Sequence, residues 1–508
     1  MLYIAKHLCY LFRTSRFLRI YRTRRNGRSI LPKGCLVSSR EASQIMQIKF
    51  GTSGWRAVIA KDFTFDNVER VTNSICGYLK SIDEMTGKPL IIGHDSRFMG
   101  EAFTSYAAEI AAGKGFKVLK CIGPTPTPTI SHAIRQLGAA GAMNFTASHN
   151  PPEYQGIKFS TSNGAPALPE VTSQIERSIV DGVALVDKDG GSIEDLDPKA
   201  AYFEDLGKKL NLDAIRNSKS RFAYDALWGT GRGYLDTFLR DLGCEVETIH
   251  DWRDVTFGGR SPEPGEDHLD ELREAVVSKG LTLGIATDGD ADRFGIIDSN
   301  GTFIEPNKLV ALLTDYLYES RGWKLGVARS VATSHLVDRV AKDRGIELFE
   351  TPVGFKFIGE LINNDKIILG GEESAGLSIR GHYPEKDGIL ACLLAVEAVV
   401  VRGKSLTEQL EELYSRVGKL ESGRIGVKLT DEVAAKLKEK LAQEPSEIGG
   451  RKIERINRLD GVKFLFADNS WMLMRPSGTE PMVRIYAESE DKGDLEQLLE
   501  EGRNYLLG

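Results

Sequence analysis

The sequence is poor in cysteine and lacks long apolar segments. Its six cysteines are dispersed over 508 residues with no Cys-x-x-Cys pair, which excludes a disulfide framework and a cysteine-ligated zinc site. No uncharged apolar run reaches the roughly 18 residues that a membrane-spanning helix needs. The composition, 41% hydrophobic and 27% charged, excludes disordered, collagenous and coiled-coil proteins. We therefore expect a globular protein of a reducing compartment, the cytoplasm.

Acidic residues are missing from the first 40 positions, which hold ten of the chain's 66 Lys and Arg. The remainder is strongly acidic and therefore unsuited to nucleic-acid phosphates. Three interpretations of residues 1–45 stay open: sequence upstream of a true start at Met46, an Arg-rich organelle transit peptide, or a basic helix on a membrane surface. Because fold-like patterning begins only at Met46, we expect this basic extension to lie outside the fold, and we expect no membrane partner for the rest.

Short apolar runs alternate with helical patterns from Lys88 onward, a rhythm that predicts α/β modules with mixed, mostly parallel sheets. Residues 181–198 are acidic and glycine-rich and resemble a linker, after which the rhythm restarts. It restarts again near Pro306, and from about Ser422 it gives way to a smaller α+β pattern. The sequence thus predicts three α/β domains and a smaller C-terminal α+β domain, at 46–198, 199–304, 305–421 and 422–508.

Three aspartates follow a predicted strand in the run DGDADR. Carboxylates at alternate positions, separated by small residues, can converge on one hard cation, and they would otherwise repel one another. Arg293 and Ser299, at the sixth and twelfth positions, exclude an EF-hand. Asp288, Asp290 and Asp292 are therefore candidate metal ligands, and the alternative is a solvated acidic turn.

A serine stands between a predicted strand and a proline-containing loop in TASHNPP, residues 146–152. The prolines restrict the backbone, as a fixed nucleophile requires, and Ser148 is the candidate. The run is not the Gly-x-Ser-x-Gly elbow of esterases, and no histidine is identified that would complete a triad. The alternative is an ordinary turn.

The run RPSGTEP combines an arginine, two hydroxyls and a flexible glycine backbone. Arginine offers a planar fork of donors, so this run is a candidate cradle for a phosphate. Its members are Arg475, Ser477, Gly478 and Thr479. The alternative is a turn that joins two strands.

Two further runs, GGEESAG and GHYPEKDG, carry polar side chains on glycine loops between residues 370 and 388. The carboxylate of Glu372 and the hydroxyl of Ser374 suit the hydroxyls of a sugar. His382 and Lys386 are candidates for moving protons. The alternative for each of these two is an ordinary surface residue.

Taken in order, TASHNPPEYQGIKF, DGDADR, GEES and RPSGTEP resemble the α-D-phosphohexomutase superfamily, which includes phosphoglucomutase, phosphomannomutase and phosphoglucosamine mutase. The resemblance covers residues 46–508. It implies four domains around a central cleft, each contributing one loop, and phosphoryl transfer between a serine and a hexose phosphate. It also implies one Mg²⁺ per chain, hexose 1,6-bisphosphate as activator, small hexose phosphates as partners, and a monomer or homodimer.

The resemblance also implies roles residue by residue. Ser148 matches the phosphorylated serine, and the three aspartates match the ligands that hold Mg²⁺ together with a phosphoserine oxygen. Lys158 and His149 match positions that assist proton transfer and phosphate binding. The remaining implied contacts are Arg56 and Arg293 beside the transferring phosphoryl group, Glu372, Ser374, Gly354 and Lys356 at the sugar, and Arg475, Ser477, Gly478 and Thr479 at the non-reacting phosphate.

The choice of sugar depends on departures from the family pattern. The forms GEESAG and DGDADR resemble phosphoglucomutases more closely than the bifunctional phosphomannomutases, in which a histidine often follows the glycine of the sugar loop. Glucose phosphate is therefore the expected substrate. The same chemistry on mannose or glucosamine phosphate stays open, as does a catalytically silent sugar-phosphate-binding protein, although intact Ser148, Lys158 and the aspartates disfavour the latter.

Overall fold

The computed structural model describes five stretches of the chain: residues 48–51, 54–82, 87–181, 190–477 and 482–508. The predictions for residues 1–45, Gly478 and Thr479 lie outside these stretches. Among the helices described, none is long and apolar enough to cross a membrane.

Domain I is built on a six-stranded sheet of order β1-β5-β4-β2-β3-β6. Strands β2 and β4 are buried at every position, because helices on the sheet cover these apolar runs. β5 runs antiparallel to β4, and β1 runs antiparallel to β5. The elements are β1 Trp55–Val58, α1 Phe65–Ser81, β2 Leu90–His94, α2 Gly100–Gly113, β3 Lys117–Cys121, α3 Thr127–Leu137, β4 Gly141–Phe145, β5 Tyr154–Thr161, α4 Pro169–Asp181 and β6 Ser192–Leu196.

The expectation of a linker over 181–198 is wrong for its second half. Ser192–Leu196 forms the edge strand β6, which pairs in parallel with β3. Four of its five residues are exposed, so SIEDL lacks the apolar pattern that marks a buried strand. Backbone pairing with β3, which the sequence does not reveal, fixes this segment.

Domain II has a four-stranded sheet of order β10-β9-β7-β8, with β10 antiparallel to its parallel neighbours. The central strand β9 is wholly buried and leads directly into the aspartate run. The elements are α5 Lys199–Gly207, α6 Leu212–Ser218, β7 Arg221–Asp225, α7 Leu235–Asp241, β8 Glu245–Ile249, α8 Asp270–Lys279, β9 Leu283–Thr287 and β10 Phe294–Asp298.

Domain III repeats this plan in a sheet of order β12-β11-β13-β14, in which β14 is the antiparallel strand. The long helix α12 is buried over most of its length, and its core is continuous with that of domain II. The elements are α9 Pro306–Arg321, β11 Gly326–Ser330, α10 Leu336–Arg344, β12 Leu348–Thr351, α11 Phe355–Asn363, β13 Ile367–Glu372, β14 Gly376–Ile379, α12 Gly388–Arg402 and α13 Leu406–Val417.

Domain IV is smaller, with an antiparallel sheet of order β15-β20-β19-β18-β17-β16 and its own apolar core. Helices α14 and α15 pack together, and α15 covers β20. The elements are β15 Glu421–Lys428, α14 Asp431–Ala442, β16 Glu447–Ile448, β17 Arg451–Asn457, β18 Val462–Phe466, β19 Trp471–Pro476, β20 Met482–Ser489 and α15 Lys492–Leu507.

The three α/β sheets present their chemical motifs in the same way. Ser148 follows β4, Asp288 follows β9, and Glu372 ends β13. Each lies at the carboxyl end of a buried parallel strand, where ligands of open α/β sheets commonly bind. The predicted fold class, three mixed-sheet α/β domains and a smaller α+β domain, is confirmed.

Candidate active site

A cavity of about 680 Å³ opens where the four domains meet, and each of them contributes to its wall. Most of the residues predicted for the site line it. They are Arg56, His149, Lys158, Asp292, Arg293, Gly354, Lys356, Glu372, Ser374, Lys386, Arg475 and Ser477. Ser148, Asp288 and Asp290 lie just beneath this wall, in hydrogen-bond contact with its residues or with one another.

Ser148 is buried and holds an unusual backbone conformation. Its φ is +51°, a left-handed value that non-glycine residues seldom adopt. Its N–H donates to Thr146 Oγ1 at 2.8 Å, and its Oγ donates to Asp288 Oδ2 at 2.7 Å. The His149 Nδ1 atom lies 3.4 Å from the same Oγ. The serine hydroxyl is therefore aimed at the aspartate run of domain II.

Asp288, Asp290 and Asp292 converge, with one carboxylate oxygen of each lying within 4.8 Å of the others. All three are completely buried. Asp290 Oδ1 and Asp292 Oδ1 have no hydrogen-bond partner among the described residues. Converging carboxylate oxygens that lack donors suit a hard divalent cation such as Mg²⁺, so the residues present fit the metal that the family resemblance implies.

Two lysines offset the charge of the aspartates. Lys158 Nζ donates to Asp290 Oδ2 at 2.6 Å and to Asp292 Oδ2 at 2.8 Å, and Lys386 Nζ lies 2.9 Å from Asp292 Oδ2. Burial alone would raise the pKa of Asp292, but the two ammonium groups hold it well below its usual range. Burial and the neighbouring carboxylates raise the pKa of Asp288 well above it.

Two arginines and a histidine stand beside Ser148. Arg56 Nη1 donates to Asn150 Oδ1 at 2.7 Å, and Arg293 Nη1 lies 3.5 Å from Glu263 Oε1. The Nε atoms of both arginines are buried without a hydrogen-bond partner in the described chain. Burial, together with Arg293, lowers the pKa of Arg56 to about 10. Both guanidinium groups line the cavity and lie close enough to His149, the residue after Ser148, to lower its pKa beyond the effect of burial, so positive charge is concentrated in this part of the cavity.

A carboxylate joins two loops of domain III at the cavity. Glu372 Oε1 accepts the N–H of Gly354 at 2.8 Å, and its side chain is only 4% exposed. Burial, and then the charge of Glu373, raises the pKa of Glu372 to about 7. Its second oxygen, Ser374 and Lys356 stand at the cavity wall, where a ligand hydroxyl can reach them.

Domain IV contributes four cations and a serine to the cavity wall, which we call the phosphate wall after the role proposed for it below: Arg424, Lys428, Arg475, Arg484 and Ser477. Arg475 on β19 stands directly opposite Arg484 on β20. Like charges in register destabilise a strand pair, so this pairing favours a bound anion. Asp460 Oδ2 lies 3.2 Å from Arg475 Nη2 and also accepts the N–H of Val353 at 3.0 Å, which ties the wall to domain III.

His382 does not reach the cavity. Its Nε2 lies 2.9 Å from Asp387 Oδ2, within a buried network that includes the hydroxyls of Tyr202 and Tyr383. Asp387 also accepts the N–H of Leu390 and so caps α12. The segment GHYPEKDG thus places Lys386 in the site and anchors His382 behind it.

Sequence reasoning missed several residues of the site. Glu385, beside Lys386, lines the cavity, and burial raises its pKa to about 7. Glu385 belongs to the run GHYPEKDG, which already stands out in the sequence, so this residue could have been predicted. The sequence around Arg424 and Lys428 shows only the alternating pattern of a strand, which does not indicate a site. Arg97, which lies behind Ser148, has no distinguishing pattern around it.

Family comparisons agree with this architecture along the chain. Models of the phosphoglucomutase/phosphomannomutase alpha/beta/alpha domains I, II and III match residues 47–183, 200–301 and 305–417, and the model of the C-terminal domain matches 426–504. The chain therefore belongs to the phosphoglucomutase/phosphomannomutase family, within the phosphohexomutases. The resemblance drawn from the four motifs is confirmed.

Individual relatives differ in the sugar that their names specify. A phosphoglucomutase/phosphomannomutase of Thermococcus kodakarensis is 31% identical over 465 residues, covering 90% of this chain and 98% of the relative. A phosphoglucosamine mutase of Methanococcus maripaludis is 32% identical and covers 82% and 91%. Among solved structures, Paramecium pp63/parafusin, a phosphoglucomutase, matches with 25% identity and a TM-score of 0.76, covering 90% and 94%.

Proposed function

We propose that the protein is a phosphoglucomutase that interconverts glucose 1-phosphate and glucose 6-phosphate through a phosphorylated Ser148. One observation carries the proposal: a buried serine with a left-handed backbone aims its Oγ at Asp288, 2.7 Å away, at the base of a cavity that all four domains line. Phosphoryl transfer is mainly positioning and charge neutralisation, and the surrounding residues supply both.

In the first half-reaction, a free hydroxyl of the hexose phosphate attacks the phosphorus of phosphorylated Ser148. The Oγ–P bond breaks as the new O–P bond forms, so the product is hexose 1,6-bisphosphate, and the Oγ of Ser148 takes up a proton to become a free hydroxyl again. The proton of the attacking hydroxyl passes to a group beside the reacting atoms, for which we propose the imidazole of His149, whose pKa burial lowers well below its usual value. Lys158, which is already an ammonium ion, would assist by donating hydrogen bonds. Arg56 and Arg293 offer donors to the oxygens of the moving group.

Asp288, Asp290 and Asp292, together with an oxygen of the phosphorylated Ser148, would hold one Mg²⁺. Bound there, a dication neutralises negative charge on the transferring phosphoryl group. Lys158 contacts Asp290 and Asp292, Lys386 contacts Asp292, and these contacts favour the ionised form of both carboxylates.

The second half-reaction returns a phosphate from the other end of the sugar to Ser148. The bisphosphate therefore turns around in the cavity, and the phosphate wall holds whichever phosphate is not reacting. Such a wall must accept two orientations of one ligand, which several cations on exposed strand positions can do. Free hexose 1,6-bisphosphate, as activator, would restore any Ser148 that has lost its phosphate.

We assign glucose phosphate as the substrate, with Glu372 and Ser374 at the C3 and C4 hydroxyls. Mannose or glucosamine phosphate is the alternative, since the relatives' names include both of these activities. We propose cytoplasmic location, a monomer or homodimer, and domain boundaries near residues 198, 304 and 421.

A coupled assay tests the assignment with glucose, mannose and glucosamine 1-phosphates under identical conditions. We expect the highest kcat/KM for glucose 1-phosphate and a measurable lower value for mannose 1-phosphate. A higher kcat/KM for either alternative sugar would reassign the substrate while keeping the chemistry. No turnover of any of them, together with no phosphate on Ser148, would leave only a sugar-phosphate-binding protein.

A further inference from the structure

Behind the Ser148 loop lies a completely buried arginine that does not itself line the cavity. Arg97 stands in the loop that follows β2, and Ser148 in the loop that follows β4. Because β2 and β4 are neighbouring parallel strands, the two loops leave the sheet side by side at its carboxyl edge. The chain thus brings a guanidinium against the backbone of the proposed nucleophile.

Every N–H of this guanidinium has an acceptor. Nη2 donates to the carbonyls of Ser148 and Asn150, each at 2.6 Å. Nη1 donates to the carbonyls of Pro151 and Tyr154 at 2.8 and 3.1 Å. Nε donates to Asp95 Oδ2 at 3.1 Å. Four of the five donors therefore bind the backbone of the loop that carries the nucleophile, which only the planar fork of arginine can do.

Asp95 connects this clamp to the other side of Ser148. The same Oδ2 atom accepts the hydroxyl of Thr146 at 2.6 Å, and Thr146 Oγ1 in turn accepts the N–H of Ser148. The N–H and the carbonyl of Ser148 are thus both held by one buried ion pair. A left-handed non-glycine residue costs free energy and persists only where its surroundings determine it.

Domain II covers the clamp from the opposite side. The ring centroid of Phe257 lies 5.0 Å from Arg97 Cζ, a cation–π contact between domain I and the domain that carries the aspartate run. Arg97 therefore touches both of the parts whose relative position sets the distance from Ser148 Oγ to Asp288.

We propose that Arg97, held by Asp95, is a positioning residue for phosphoryl transfer, which fixes the strained backbone of Ser148 so that its Oγ meets the aspartate run. The inference rests on the function proposed above. Arg97 does not line the cavity itself, so its loss should slow the transfer step more than it weakens binding of the sugar phosphate.

The test compares Arg97→Lys with Arg451→Lys. Lysine keeps the charge beside Asp95 but cannot bond four carbonyls at once. Arg451 is a matched control, because it pairs with Asp468, Asp494 and Glu501 in domain IV, away from the cavity. For each variant and the wild type, we would measure kcat and KM for glucose 1-phosphate, the Kd of glucose 6-phosphate for unphosphorylated protein, the rate at which glucose 1,6-bisphosphate phosphorylates Ser148, and Tm.

We expect Arg97→Lys to lower kcat and the rate of Ser148 phosphorylation by about 10²-fold, the loss that a misplacement of about 1 Å can cause. The Kd of glucose 6-phosphate should stay within about twofold, since the displaced loop is not its phosphate site. Arg451→Lys should change only Tm. A folded Arg97→Lys protein with wild-type kcat would overturn the inference, as would equal losses in both variants.

If Arg97→Lys does not fold, Thr146→Val decides the question. Valine keeps the volume of threonine but removes the acceptor of the Ser148 N–H, so kcat should fall about tenfold with the Kd unchanged. An unchanged kcat in that variant would overturn the inference. Failure of the proposed function is separately visible, because the wild type itself would then neither turn over glucose 1-phosphate nor accept phosphate on Ser148.

Discussion

The cavity has two ends that are built in opposite ways. At the transfer end, which comprises Ser148, Lys158, Asp288, Asp290 and Asp292, every residue is buried and bonded to another member of the group. At the phosphate wall, the cations occupy half-buried or exposed positions on the strands of domain IV. In the proposed mechanism, the transfer end needs fixed distances between reacting atoms, whereas the phosphate wall must bind, release and rebind a ligand that turns around.

The difference also concerns charge. Three carboxylates at the transfer end are opposed by two lysines, and their remaining oxygens suit a cation. The phosphate wall carries four cations, and Asp460 is the acidic partner of one of them, Arg475. In the proposed mechanism a sugar bisphosphate matches both ends, since each of its phosphates can be either the moving group or the group that is held. Substitutions at the two ends should therefore affect different kinetic constants.

The largest effect should come from Ser148→Ala. We expect kcat to fall by several orders of magnitude, because this substitution removes the proposed covalent carrier of the phosphoryl group. The Tm should change little, since the loop lies outside the apolar cores. Added hexose 1,6-bisphosphate should not restore the rate. Near-wild-type turnover by the purified variant would exclude the phosphoserine mechanism.

The second-largest effect should come from removal of the metal ion. Chelation by EDTA should abolish activity and Mg²⁺ should restore it, while Asp290→Asn should lower kcat by about 10²–10³-fold even with excess Mg²⁺. Binding of a cation to the native state also raises stability, so Mg²⁺ should raise the Tm of the wild type and not that of the variant. Equal Tm gains in the two proteins would show that the cation binds elsewhere.

Glu372→Gln should weaken binding of the sugar ring. Glucose and mannose differ at C2, whereas glucose and galactose differ at C4. If Glu372 binds at C3 and C4, kcat/KM should fall by similar factors of about 10–10² for glucose and mannose phosphates. The wild type should reject galactose 1-phosphate, because an inverted hydroxyl leaves a buried carboxylate poorly paired. A loss confined to one of the first two sugars would place Glu372 at C2.

At the phosphate wall the effect should be smaller and should appear in KM. We expect Arg475→Ala to raise KM for glucose 1-phosphate about tenfold with little change in kcat, because Arg484, Arg424 and Lys428 remain. Arg503→Ala, which removes an exposed arginine of α15 paired with Glu500, is the control and should change neither constant. A fall in kcat alone after Arg475→Ala would contradict the assignment of ligand binding to the phosphate wall and of the transfer step to the other end.

Deletion of residues 1–45 should have the smallest effect. This segment carries none of the four motifs, and unattached termini are usually dispensable. We expect kcat, KM and Tm to stay close to those of the full chain. A large fall in Tm would show that the extension docks on the fold.

The two ends also differ in how well the sequence predicts them. Asp288, Asp290 and Asp292 lie within five residues, so their convergence follows from one strand and one loop. The phosphate wall gathers Arg424 from β15, Arg475 from β19 and Arg484 from β20, and strand pairing alone brings these together. A short run of residues does not reveal which distant strands pair or in which register.

The sequence-based predictions that were wrong or incomplete also failed because contacts distant in sequence decide the outcome. The exposed edge strand β6 has no apolar alternation, and only its pairing with β3 fixes it. His382 sits in a chemically suggestive segment, yet the hydrogen bond to Asp387 draws it behind the site. Arg97 resembles an ordinary loop arginine until the neighbouring strands β2 and β4 bring it beneath Ser148.

The most direct test of the account is the location of phosphate after reaction with substrate. The wild type would be incubated with Mg²⁺ and glucose 1,6-bisphosphate, digested, and examined by mass spectrometry, with Ser148→Ala treated in parallel. The account predicts one phosphate on the peptide that contains Ser148 and, when that phosphate carries an isotope label, transfer of the label to glucose 6-phosphate on addition of glucose 1-phosphate. Turnover of glucose 1-phosphate without phosphate on Ser148, or with phosphate on another residue, would contradict it.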